Sequence, residues 1–334
     1  MSSKPTNPPS STSTARQVLE LLYRYRRIDA APSGRPPEGA AQEPCTACFE
    51  ARQQKIERFV RRDEPIHLVL PAFPAKSPNR NKVLGTLPDL GEYLALSFLQ
   101  SLCDHVSHFH GPGARITICS DGHVFGDVVG VDDDTVTAYR VALAEMIRAA
   151  NWTSLDLFGL DDAFGGEDYP KLRQLLEQNY SSTLEELRES VRTDQAALSL
   201  FNGIHRFMFE DAVARQGADA SRTRLRNDSK EAAYQTILRS NAWSRVVAER
   251  FPEAVRLSIH PQPPHSEKFG LRLLPTRDGW LTPWHGVVLD DGVAPLLVRR
   301  WEAEELDASV VSRNGRPSHF VRPQLTTHSE ERQA

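Results

Sequence analysis

Three short apolar runs separated by stretches of helical periodicity constrain this chain more than any other feature. Ile66-His-Leu-Val-Leu70 is bounded by Pro65 and Pro71, and after a polar loop it gives way to a helix expected over Leu90 to His108. Ala114-Arg-Ile-Thr-Ile-Cys119 repeats the theme, followed by a polar loop, the shorter Val124 to Val131 segment and a helix from Thr135 to Ala149. A third buried strand is expected at Ser154 to Leu157. Strands this short and this apolar have no polar face to give to water, so both faces must be covered, and the intervening helices are the only cover available. The fold class that satisfies this is α/β: a Rossmann-like, mostly parallel sheet flanked by helices.

The rest of the chain arranges itself around that sheet. Residues 1–12, rich in Ser, Thr and Pro, and Ala31 to Glu43 bury too little apolar surface to order themselves and are expected to be mobile. Val18, Leu21, Leu22 and Tyr25 recur at helical spacing, and a second helix over Thr46 to Arg62 turns Ile56, Phe59 and Val60 inward, so residues 13–62 read as a helical N-terminal lead-in. Residues 63–313 form the catalytic unit, with a helical insertion over 172–250 that ends in a helix from Thr223 to Arg250. Strand-like text returns at Ala254 to Ile259, Leu271 to Leu274 and Pro295 to Arg299, and the tail from 314 to 334 reads as loosely ordered.

Charge and cysteine content narrow the class of partner. A formal charge of -4 exerts no general pull on polyanions, so nucleic acid is not an expected partner. No run approaches the roughly 20 apolar residues of a membrane span, and the polar N-terminus lacks the core of a signal peptide, which points to the cytoplasm. Cys45 and Cys48 form a C-x-x-C that supplies half a zinc site at most, while Cys103 and Cys119 fall in apolar text and read as reduced thiols.

An open parallel sheet binds ligands beyond the carboxyl ends of its strands, so the polar text after each strand carries the candidates. After the first strand, Lys76-Ser-Pro-Asn-Arg-Asn-Lys82 combines charge with short neutral donors, which suits a phosphate or carboxylate but also describes a solvated turn. After the second come Asp121, Gly122 and His123, with Asp127 four residues on: either an acid/base pair or a set of turn formers. Asp132-Asp-Asp134 reads as a helix cap. Near the end, His260, His265, Lys268 and His285 gather in Pro- and Gly-rich text with Trp284 beside them. Arg222-Thr-Arg-Leu-Arg226 with Lys230 is a possible anion clamp or an exposed helix face. The glycine signatures of dinucleotide and nucleoside triphosphate sites do not occur.

Pro71 to Asn79, Lys82-Val-Leu-Gly-Thr-Leu-Pro-Asp-Leu-Gly-Glu92 and Cys119 to Asp132 together resemble the isonitrile synthases, a family related to the pyoverdine/dityrosine biosynthesis proteins. The likeness continues through Arg239-Ser-Asn-Ala-Trp-Ser244, Val255 to Pro261, Lys268-Phe-Gly270 and Thr282-Pro-Trp-His285. The resemblance implies a reaction in which the amino group of L-tyrosine and ribulose 5-phosphate combine. The sugar's ketone carbon becomes the isonitrile carbon and the carboxylate is kept for a downstream Fe(II)/2-oxoglutarate-dependent oxygenase. It implies neither redox cofactor nor metal.

On that reading Lys76, Lys82 and Lys230 meet the sugar phosphate or its carbonyl, Ser77 and Asn79 add neutral donors, and His123 and His260 move protons. Asp121 or Asp127 orients a histidine or holds the ammonium, and Lys268, Trp284 and His285 close the far side. Three alternatives stand beside it: the same reaction on L-tryptophan, a metal-dependent hydrolase or oxygenase built on His123, Asp127, His260 and His285, and a protein that binds a sugar phosphate or amino acid without converting it.

Overall fold

The structure, a computed structural model, describes residues 10–27, 46–216, 221–262 and 266–323. Cys45, His265 and the 31–43 segment lie outside the described residues. Five strands, β1 (Ile66–Pro71), β2 (Ala114–Cys119), β3 (Leu155–Phe158), β4 (Val255–Ser258) and β5 (Phe269–Gly270), form one sheet in the order β3-β2-β1-β4-β5. Every pairing in it is parallel.

Eleven helices are described: α1 (Ser11–Arg24), α2 (Thr46–Arg62), α3 (Leu90–Ser107), α4 (Gly122–Val129), α5 (Asp133–Ala149), α6 (Leu160–Phe164), α7 (Tyr169–Tyr180), α8 (Leu184–Thr193), α9 (Gln195–Gln216), α10 (Arg222–Arg250) and α11 (Arg300–Glu304). The pleat of β1 sorts them. Ile66, Leu68 and Leu70 face a core shared with α1, α2, α3 and α5, while Val69 faces a second core with Leu172 and Leu176 of α7 and Trp243, Val246 and Val247 of α10. A third, smaller core of α8, α9 and α10 holds the helical insertion together.

The expected layered fold is present, with four departures from the sequence reading. Ser11 and Thr12 already belong to α1, whose N-cap Ser10 accepts the backbone N–H of Ser13. The N-terminal helix packs Val18, Leu19 and Leu22 into the main core, and Arg26 bridges to Leu271 at the sheet edge. The strand expected over Leu271 to Leu274 shrinks to Phe269–Gly270; beyond the Arg26 bridge, Leu273 and Leu274 are buried by packing, without a strand partner.

The tail expected to be loose after Asn314 instead supplies a strand. β6 (Val287–Asp290), β7 (Pro295–Val298), β8 (Ser309–Arg313) and β9 (Arg316–Val321) form a second sheet, ordered β7-β6-β9-β8. Asn314 and Gly315 both have positive φ (52° and 74°), the geometry of a two-residue hairpin turn, and they fold β9 back on β8. Phe320 then packs with Val287, Leu289 and Val298.

Candidate active site

The strand order reverses between β1 and β4, whose successors leave in opposite directions and open a crevice at their carboxyl ends. Two local features shape it. Phe73 has φ 58°, rare for a bulky residue, and its carbonyl accepts the Ser120 hydroxyl at 3.0 Å, which swings the loop after β1 toward α4. There Pro74 lies so close to Gly122 that a Cβ on the glycine would stand 1.9 Å from the Pro74 oxygen. Only glycine permits that approach.

The resulting crevice encloses about 920 Å³ of empty space, its open mouth included. Its polar end is built from the loop after β1 (Lys76, Ser77), the end of β2 (Asp121), the end of β4 (His260) and the Thr282 to His285 turn. Phe125, Gly126 and Val129 of α4, Ile204, Phe207 and Met208 of α9, and Thr236 and Ser240 of α10 line the remainder. Trp280 lies on α9 at Gly203, where any side chain would meet the indole, and its ring stands 5.3 Å from that of His260.

Burial decides the protonation states. Asp121 is stripped of water and among the described residues its Oδ1 has no hydrogen-bond partner, so its carboxyl is pushed up to about 7. His260 is driven down to about 3, first by burial and then by the positive charges of Arg27 and Lys268; its Nδ1 is also unpartnered among the described residues. His285 falls to about 3 through burial and the nearby Lys82 and Lys76, with its ring stacked 5.2 Å from Phe207 and its Nδ1 3.3 Å from the Thr282 hydroxyl. At neutral pH the cavity therefore holds two neutral imidazoles, weak bases suited to hydrogen bonding, and one carboxyl near half-ionisation, the group of the three best matched to exchanging protons with an amine.

The lysines are differently employed than their sequence suggests. Lys76 Nζ gives its three protons to Asp89 Oδ2 and Glu92 Oε2, both at 2.8 Å, and to the Pro283 carbonyl at 3.1 Å. Glu92 in turn accepts the Tyr139 hydroxyl at 3.1 Å. Asp89 and Glu92 also form the capping box of α3, so this buried cluster ties the loop after β1 to that helix and to the Trp284 turn. Lys82 Nζ lies 2.7 Å from Asp211 Oδ1, 3.1 Å from Glu210 and 4.8 Å from the Phe207 ring centroid. Asn79 and Ser77 both donate to Asp211, at 3.2 and 3.3 Å. Lys76 and Lys82 are thus neutralised by protein carboxylates, and Lys230 is exposed on α10, away from the cavity lining.

Two further expectations are corrected by the phase of α4. Along a helix each residue turns about 100°, so positions 122, 125, 126 and 129 share the cavity face while 123 and 127 point away. His123 stacks on Tyr169 with ring centroids 3.6 Å apart and pairs with Thr137 Oγ1 at 3.0 Å. Asp127 binds Arg239 at 2.6 Å on the outside. The four residues of the metal-enzyme alternative are therefore not brought together: His260 and His285 line the cavity, His123 is buried elsewhere and Asp127 is exposed, and among the described residues no group of three or more His, Cys, Asp or Glu side chains is placed to hold a metal ion.

Lys268 is half-buried and lies outside the cavity lining, although its charge is felt at His260. Its ammonium is lowered to about 8 by burial and by Arg256. Cys103 and Cys119 are buried, their thiols pushed up by burial, to about 12 for Cys103. Asp132 caps α5 as expected, accepting the Thr135 N–H at 2.7 Å.

Sequence reasoning missed Asp89, Glu92, Asp211 and Trp280. The first two were legible as a capping box before an apolar helix, but their grip on Lys76 depends on tertiary approach. Arg27 was missed as well: its guanidinium donates to the carbonyls of Ile259, Gly279 and Leu281, holding two walls of the cavity in place from the N-terminal segment.

Comparison with known proteins agrees with this geometry. The family profile of pyoverdine/dityrosine biosynthesis proteins matches residues 56–311. An L-tyrosine isonitrile synthase of Pseudomonas aeruginosa is 44% identical over 316 residues, covering 93% of this chain and 95% of its own. An L-tryptophan isonitrile synthase of Fischerella ambigua is 43% identical over 305 residues, 91% of each chain. The crystal structure of the PvcA protein from Pseudomonas aeruginosa superposes with a TM-score of 0.85 at 42% identity, over 92% of this chain and 99% of that one.

Proposed function

The chain belongs to the pyoverdine/dityrosine biosynthesis protein family, and from that premise we propose that it is an isonitrile synthase that converts the amino group of L-tyrosine, with ribulose 5-phosphate as the carbon donor. The observation that carries the proposal is the placement of Asp121, His260 and His285 around one cavity at the switch point of the sheet. The substrate amine arrives as an ammonium and must become neutral before it attacks a ketone. Asp121, a buried carboxyl pushed up toward neutrality, pairs with the ammonium as a carboxylate and takes its proton, while the neutral imidazoles of His260 and His285 serve as hydrogen-bonding partners in the same cavity. The carboxylic acid so formed returns that proton to the hydroxyl that leaves as water when the imine forms. The same groups serve the proton transfers of carbon-carbon cleavage.

The sugar phosphate needs a cation that the protein has not already neutralised. Lys76 and Lys82 do not meet that requirement; Lys268, near His260 though outside the cavity lining and with its ammonium lowered by burial, is the cation a phosphate extending past His260 would meet. The tyrosine assignment, in place of tryptophan, rests on the hydroxyl groups at the apolar end of the cavity. An iron-dependent oxygenase acting on the isonitrile product is the expected next enzyme. Among the described residues no helix is long and apolar enough to cross a membrane, in keeping with a cytoplasmic setting.

The test is direct: purified protein incubated with L-tyrosine and ribulose 5-phosphate should yield a product bearing the isonitrile infrared band and the mass of tyrosine with one carbon added and two hydrogens removed. Binding of both compounds with no product after prolonged incubation would favour the binding-protein alternative.

A further inference from the structure

α10 crosses the apolar end of the cavity and brings two hydroxyls with it. Thr236 and Ser240 are one helical turn apart, so both stand on the same face, among Phe125, Val129, Ile204 and Met208. Their hydrogen-bonding capacities differ. Thr236 Oγ1 gives its proton to the Ala232 carbonyl at 2.8 Å, which leaves it only lone pairs to offer a ligand. The Ser240 hydroxyl makes no hydrogen bond among the described residues, so its proton and its lone pairs are both available. A wall that only had to repel water would be better served by Ala and Val, because a hydroxyl without a partner in apolar surroundings costs free energy.

The position of this pair along the cavity is fixed by Arg239, which lies between them in sequence. Its guanidinium donates to the Val124 carbonyl at 3.4 Å and to Asp127 at 2.6 Å, so this stretch of α10 meets α4 about one turn beyond Asp121. One turn of helix advances roughly 5.4 Å. An amino acid whose ammonium rests at Asp121 would therefore carry the end of its side chain toward Thr236 and Ser240.

We propose that Thr236 and Ser240 are the seat of the substrate's phenol hydroxyl: the phenol O–H donates to Thr236 Oγ1 and the Ser240 O–H donates to the phenol oxygen. The assignment rests on the isonitrile-synthase reading and adds to it the residues that choose among aromatic side chains. A phenol uses both groups, an indole N–H uses only the acceptor, and a bare phenyl ring uses neither.

The experiment is a steady-state comparison of tyrosine, phenylalanine and tryptophan with wild type, the double variant Thr236→Val/Ser240→Ala, and Thr236→Ser, each checked for native circular dichroism. Wild type should prefer tyrosine to phenylalanine in kcat/KM by about 100-fold or more, since phenylalanine strands both hydroxyls. The double variant should lose about 10- to 100-fold with tyrosine while holding phenylalanine within about threefold, and Thr236→Ser, which keeps the hydroxyl, should retain the preference. An unchanged tyrosine-to-phenylalanine ratio in the double variant, or an equal loss with both substrates, would overturn the assignment. A folded wild type that converts none of the three amino acids would instead overturn the functional reading, and this assignment with it.

Discussion

Asp121 and Lys76 show how differently two buried charges can be used. Asp121 has a buried oxygen with no partner and a carboxyl raised from 3.8 to about 7, so in the absence of ligand it is a cost to the fold. Because its folded value lies above its unfolded one, its contribution to stability is fully present below about pH 4 and is lost as pH rises through about 7. Asp121→Asn should accordingly melt higher than wild type at pH 8, by on the order of 2 kcal/mol, with the difference vanishing at pH 4. The same variant should lose about 10²-fold or more in kcat, and the limb near pH 7 in the kcat/KM profile should disappear from what remains. A melting difference that does not vary with pH would refute the protonation argument.

Lys76 is the opposite case, a cation with all three protons placed. Lys76→Met leaves Asp89 and Glu92 facing one another without water, and should cost about 3–5 kcal/mol in urea denaturation. The sequence showed both residue types in the right loops and could not divide their labour, because what separates them is whether a carboxylate arrives from elsewhere in the chain.

At the scale of elements, the first three strands were legible because continuous apolar runs bounded by proline or polar loops admit few other readings, and α3 was legible from its apolar periodicity, while its Asp89 and Glu92 capping box went unread. α4 was the costly omission. Taken as a short segment after a strand, it left His123 beside Asp121 in sequence; as a helix beginning at Gly122, it turns His123 to Thr137 and Tyr169 and gives Phe125 and Val129 to the cavity. The apolar spacing 125, 129, 131 was too brief for a periodicity to declare itself. β9 was lost for a related reason: Arg316-Pro-Ser-His-Phe-Val321 carries little strand signal, and only the Asn314-Gly315 turn marked it. The contact between α4 and the loop after β1 yields a prediction at this scale. Gly122→Ala must push the Pro74 carbonyl away and should destabilise the fold by about 3 kcal/mol, seen as a lower urea midpoint with an unchanged slope.

For the whole molecule, the N-terminal segment is part of the core and part of the site. α1 buries Val18, Leu19 and Leu22 against the sheet, and Arg27 just beyond it ties together the carbonyls of the cavity walls. Composition alone suggested a lead-in because amphipathic helices look alike whether they cover their own domain or another. Leu22→Ala should lower the single global unfolding transition by about 2–5 kcal/mol; a variant in which α1 frays while the main transition stays put would show it to be an appendage after all.

The helical insertion closes the cavity with α9 and α10, so the cavity's titratable groups stand at the sheet and much of its apolar end on the insertion. The most direct test of that chemistry follows the new bond itself: ¹⁵N-labelled tyrosine and ribulose 5-phosphate labelled with ¹³C at its ketone carbon are incubated with the protein, and the product is read by ¹³C NMR. A single enriched isonitrile carbon showing one-bond coupling to ¹⁵N is the predicted result. An isonitrile whose carbon is unlabelled, or no isonitrile from folded protein, would contradict it.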